Sequence, residues 1–113
     1  MKRVKISVDE NVLLNLVVKA TRLNMKNSEV IENYFDGFTD LDQSKAIEVI
    51  SPLIKEIIER EDYLFQYSKW FYLHENHYAV LKEFAKKLNT DISRTFNAIC
   101  LYGQRASFSD YFK

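Results

Sequence analysis

The chain repeats itself, and no other property constrains its fold as tightly. Shifted by 65 positions, residues 8–35 fall on residues 73–100 without a gap. Seven positions are identical, Glu10/Glu75, Asn11/Asn76, Leu16/Leu81, Ala20/Ala85, Leu23/Leu88, Asn24/Asn89 and Ser28/Ser93, where chance gives roughly two. The shared positions follow one structural logic: an apolar helical stripe, an Asn at a turn, then the start of a second helix. A chain of 113 residues holds one compact domain or two very small ones.

Patterning within the copies gives the elements. Val4, Ile6 and Val8 alternate with Arg3, Lys5 and Ser7, the period of two that marks a strand with one buried and one solvated face. Asp9 stands at an N-cap position with Glu10 in the first turn. Val12, Leu13, Leu16, Val17, Ala20 and Leu23 follow at helical spacing, and Asn24 suits the left-handed turn that ends a helix. A second helix starts near Asn27 or Ser28, buries Val30, Ile31, Tyr34 and Phe35, and closes at Asp36-Gly37. The second copy begins near Tyr67, with Lys69, Phe71 and Leu73 in the places of Val4, Ile6 and Val8. Ser68, Trp70 and Tyr72 stand in the places of Arg3, Lys5 and Ser7. A helix over about 76–88 presents Val80, Leu81, Phe84, Ala85 and Leu88, Asn89 repeats the turn, and Asp91 caps a last helix that buries Ile92, Phe96, Ile99 and Cys100.

The organisation expected is a first copy over residues 1–36, a helical acidic connector over 37–66, a second copy over 67–105, and a tail over 106–113 whose Phe108, Tyr111 and Phe112 dock on the rest. In the connector, Ala46, Val49, Ile50, Leu53, Ile54, Ile57 and Ile58 keep one phase across Pro52. Either one helix is kinked there or two short helices meet, and the spacing favours two, over about 42–50 and 52–62. Net charge is zero, yet its distribution is uneven: residues 1–34 and 67–113 carry an excess of basic groups and residues 35–66 an excess of acidic ones, among them Asp36, Asp40, Asp42, Glu48, Glu56, Glu59, Glu61 and Asp62.

Several classes of function are disfavoured. The opening MKRVKISVDE lacks the apolar run of a signal peptide, the longest apolar stretch is too short to span a membrane, and one cysteine forms no intrachain disulfide. A cytoplasmic location is expected. His74 and His77 have no accompanying ligand cluster and read as surface residues, so neither a metal nor another cofactor is expected. Cys100 reads as a small core residue, no nucleophile–histidine spacing stands out, and no Gly-rich phosphate loop exists. An enzyme and a small-molecule ligand are not expected.

The run RVKISVDENVLLNLVVKATRLNMKNSEVI resembles the ribbon-helix-helix family of DNA-binding regulators, of the CopG/Arc/MetJ type. The likeness covers residues 2–35 well and 67–104 less well. It resembles in particular the tandem form, of which TraY is an example, in which one chain supplies both halves of a fold that pairs two copies. The resemblance implies a mainly α fold, β-α-α, connector helices, β-α-α, with one two-stranded antiparallel ribbon. It implies a double-stranded DNA partner read in the major groove. Base contacts fall to Arg3, Lys5 and Ser7 and, in the second copy, Ser68, Trp70 and Tyr72. Phosphate contacts fall to Asn27 and Ser28 and to Ser93 and Arg94, at the second-helix starts. Trp70 and Tyr72 depart from the family's pattern: either the ribbon is asymmetric and reads a non-palindromic site, or the two rings are buried against the connector or a partner. The implied role is a transcriptional repressor of a plasmid, phage or other mobile element, acting as a homodimer or higher oligomer on DNA. An accessory protein of plasmid transfer or partition, and an interaction module that keeps the shape without binding DNA, are the alternatives.

Overall fold

The computed structural model describes the backbone of residues 1–111 and the side chains of residues 1–106. The chain runs β1 (Lys2–Asp9), α1 (Glu10–Leu23), α2 (Asn27–Thr39), α3 (Gln43–Arg60), β2 (Gln66–Leu73), α4 (Glu75–Lys87) and α5 (Ile92–Tyr111). It is mainly helical, with the two strands forming one antiparallel sheet. The repeat is visible in its turns. Asn24 and Asn89 each have φ of 52°, the left-handed conformation that Asn tolerates. Each is followed by the same closing bond, Met25 N–H to Ala20 C=O and Thr90 N–H to Ala85 C=O, both 2.9 Å.

Strand pairing runs from Lys2 opposite Leu73 to Asp9 opposite Gln66. Lys5 therefore faces Trp70, the residue that holds its place in the second copy, so the midpoint of the ribbon is the midpoint of the repeat. Ile6, Val8, Phe71 and Leu73 point inward and are buried. Beneath them runs α5, which packs against β1 and against all four other helices. Every residue from Thr95 to Leu101 is buried, as expected of a helix covered on all sides. Among the described residues no helix is long and apolar enough to cross a membrane.

The structure differs from the sequence expectation in two boundaries and in the burial of some apolar residues. First, α2 does not close at Asp36-Gly37 but runs to Thr39. Continuing brings Phe38 into the core, edge-on to Phe84 with centroids 5.2 Å apart, and burying a Phe outweighs the roughly 1 kcal/mol that a helical Gly costs. Second, the connector is one helix, α3, with Pro52 inside it. Ala46, Ile50, Leu53, Ile54 and Ile57 are all buried along it, so a break would sacrifice one half of the stripe. The carbonyl that Pro52 leaves without its helical donor belongs to Glu48, an exposed residue. Third, α1 buries only Val12, Leu16 and Ala20, while Val17, Leu23 and, on α3, Ile58 are exposed. The last helix, α5, continues past the expected start of the tail at residue 106 to Tyr111; the docking expected of Phe108, Tyr111 and Phe112 lies outside the described side chains.

Gly103 is held by close approach. A Cβ there would run into the ring of Tyr34, a core residue whose hydroxyl is pushed up to about 12 by burial. Gly103→Ala is expected to cost about 1–3 kcal/mol, read as a lower urea midpoint, whereas Gly37→Ala, with open space at its Cβ, is expected to stabilise the chain slightly.

Candidate nucleic-acid interface

The outer face of the ribbon carries three side-chain pairs, Arg3 with Tyr72, Lys5 with Trp70 and Ser7 with Ser68. The Ser7 N–H donates to Ser93 Oγ at 2.9 Å and the Ser7 carbonyl accepts from Asn97 Nδ2 at 2.9 Å. The polar backbone groups of Ser7 thus point away from β2, so Ser7 and its alternate neighbours Lys5 and Arg3 occupy non-hydrogen-bonded pairs. Opposing side chains come closest at such pairs. Trp70 shows the result. Arg3 Cζ lies 4.1 Å and Lys5 Nζ 5.8 Å from its ring centroid, contacts worth roughly 0.5–1 kcal/mol each at an exposed site. Trp70 is 51% and Tyr72 57% exposed, so neither is covered by the connector. All six residues expected on this face, Arg3, Lys5, Ser7, Ser68, Trp70 and Tyr72, are exposed.

The two ends of the face differ. At one stand Arg3 and Tyr72, with Lys2 4.9 Å over the Tyr78 ring. At the other stand Ser7 and Ser68, next to the start of α5.

The four expected phosphate contacts are placed unequally. Asn27 is exposed and Ser28 half-buried at the start of α2, where the Lys26 N–H donates to Glu29 Oε1 at 3.0 Å. At α5, Asp91 accepts from the Arg94 N–H at 2.8 Å, and Ser93 is bonded to β1. The Arg94 guanidinium is bound by Glu61 through two bonds of 2.9 Å. Those bonds push its pKa above the usual arginine value.

The cap at Asp9 was expected, whereas Asn97 and the long-range partners of Arg60 and Glu61 escaped the sequence reading. Asn97 is buried and holds the end of β1 to α5. It accepts from the Asp9 N–H and donates to the carbonyls of Ser7 and Ser93, each at 2.9 Å. An Asn inside the apolar run from Phe96 to Leu101 is the signal, since such a group must find partners. Asp9 is itself fully buried, capping α1 through Asn11 N–H and Val12 N–H at 3.0 and 3.1 Å and meeting Arg60 Nη1 at 3.3 Å. Glu61, which in sequence reads as solvated helix surface, and its neighbour Arg60 owe these roles to partners far away along the chain.

The histidines need one correction. His77 is 3% exposed rather than on the surface, stacked on Phe35 at 5.0 Å with Nε2 3.2 Å from Asp36. A helix start that packs on α2 buries its third residue. His74 stays half-exposed, 3.3 Å from Glu32. The repeat's offset carries Asp9 onto His74 and Asn97 onto Glu32, so both copies fasten the strand-to-helix corner at the same place with different chemistry. Among the described residues no three potential ligands converge on a metal position, and Cys100 is buried with its thiol pushed up by desolvation.

Asn97→Ala leaves the Asp9 N–H and two carbonyls without this partner and is expected to cost about 2–3 kcal/mol, measured by urea denaturation, with the loss of amide-exchange protection concentrated at residues 7–9. Comparison of the chain with protein-family models, with curated proteins and with solved structures found no match.

Proposed function

We propose that this chain is a tandem ribbon-helix-helix protein that binds double-stranded DNA and reads the major groove with the outer face of its ribbon. One observation carries the reading: a two-stranded ribbon whose midpoint pair is Lys5 and Trp70 presents Arg3, Lys5 and Ser7 to solvent, opposite Tyr72, Trp70 and Ser68. A ribbon of this kind fits the major groove. Arg3 and Lys5 suit guanine O6 and N7, Ser7 and Ser68 accept or donate, and the rings of Trp70 and Tyr72 suit thymine methyl groups. Because the offset pairs Arg3 with Ser68, Lys5 with Trp70 and Ser7 with Tyr72, none of them identical, the two halves read different bases and the site is non-palindromic. Following the resemblance, the role is transcriptional repression on a mobile element, with a transfer or partition accessory role as its near alternative.

A second reading has its own support. Trp, Tyr and Arg are the residues that dominate protein interfaces, and Arg3, Trp70 and Tyr72 form one exposed cluster on a chain with no net charge. That cluster fits a protein partner as well.

Selection from a random duplex pool, followed by titration across salt concentrations, separates the two. Duplex binding predicts that log Kd rises linearly with log salt, by about 0.9 per neutralised phosphate. Lys5→Ala and Arg3→Ala are each expected to weaken the selected site by about 1–3 kcal/mol while the chain stays folded, its stability falling by no more than the roughly 0.5–1 kcal/mol of the lost contact with Trp70. Absence of any duplex binding at low salt overturns the DNA reading and leaves the interaction module.

A further inference from the structure

The carboxylate of Glu61 lies where a phosphate would. Glu61, the cap residue at the end of α3, takes Arg94 Nε and Nη2 in two bonds of 2.9 Å, the parallel fork with which a guanidinium also grips phosphate. The pair forms part of the wall of a cavity of about 320 Å³, together with Ser7, Gln66, Asp91 and Ser93. Two donors in that wall lack an acceptor. Gln66 Nε2 is buried without a hydrogen-bond partner, a cost that an incoming oxygen would remove. Ser93 Oγ accepts from the Ser7 N–H and keeps its own proton for another acceptor. The cavity sits beside the Ser7 end of the ribbon, at the start of α5, where Asp91 already caps the helix by accepting from the Arg94 N–H at 2.8 Å and stands 3.8 Å from Arg94 Nε.

We propose that this cavity is a phosphate clamp of the duplex interface, kept shut by Glu61 acting as an internal stand-in for the phosphate. The inference rests on the duplex-binding reading and adds a gate to it. When a backbone phosphate enters, Arg94 passes its two bonds from Glu61 to phosphate oxygens, the Ser93 hydroxyl and the Gln66 amide donate to the same group, and Glu61 turns to solvent. The start of α2 has a different composition, with Lys26 in the place of Asp91 and Glu29 in that of Arg94. The gate is therefore confined to the α5 end, where the clamp closes at the expense of the Glu61 pair.

The test is Glu61→Gln, which keeps the shape and removes the charge, with Glu59→Gln, an exposed neighbour on α3, as control. Each ¹⁵N-labelled protein is titrated with inorganic phosphate while the amide signals of Ser93 and Arg94 are followed. The expected result is a saturable shift in Glu61→Gln at a phosphate concentration at least tenfold below that needed by wild type and by Glu59→Gln. That response is expected to vanish in Glu61→Gln/Arg94→Ala. Duplex affinity of Glu61→Gln is expected to rise about tenfold, with a salt slope steeper by about 0.9. Unmoved Ser93 and Arg94 signals in folded Glu61→Gln, or a response that survives loss of Arg94, overturn the clamp. A phosphate response in Glu61→Gln without duplex binding by any variant upholds the anion site and overturns the DNA reading.

Discussion

Neither strand of this chain stands alone. A two-stranded ribbon is marginal in water, and here each strand has the other as its hydrogen-bonding partner while the whole of α1, α2 and α3 lies between them in sequence. The pairing survives because Ile6, Val8 and Leu73 are almost fully buried on its inner face, each contributing about 1.5–3 kcal/mol. The helix that covers them, α5, follows both strands in chain order. Asn97 then fixes where β1 sits on that helix by bonding the Ser7 carbonyl and the Asp9 N–H. Every property of the outer face follows from this register, because a slip of one residue would turn Arg3 and Lys5 inward and Ile6 outward.

The fold treats its two copies alike in backbone and differently in side chains. Both Asn turns adopt φ of 52° and both strand-to-helix corners are fastened from the helix of the opposite copy. One corner uses an amide on backbone groups, the other a carboxylate on an imidazole. The same division holds on the ribbon, where a cation-and-ring end faces a serine end. Near-symmetry of scaffold with asymmetry of surface is what a single chain can achieve and two identical chains cannot.

Much of this was legible in the sequence. The alternation of Val4, Ile6 and Val8, the caps at Asp9 and Asp91 and the paired Asn residues are local signals, and they gave the strand and the two helices of each copy and the six outward positions. What was missed depended on distant contacts. Gly37 looked like an ending because propensity is local, whereas Phe38 continues α2 into a core that only α4 completes. Pro52 looked like a break because the burial that holds α3 together comes from α5. His77 and Glu61 looked like surface because Phe35 and Arg94, which engage them, are far away along the chain.

The register itself is open to direct measurement. Ser7 and Ser68 face one another in a non-hydrogen-bonded pair, the position at which two β-carbons stand close enough for a cross-strand disulfide. A chain carrying Ser7→Cys and Ser68→Cys, with the buried Cys100 replaced by Ser, is expected to oxidise within one molecule. It should run as a monomer without reductant and gain stability from the closed loop. Cysteines that stay reduced under mild oxidation, or that join only different molecules, would contradict the pairing on which this account stands.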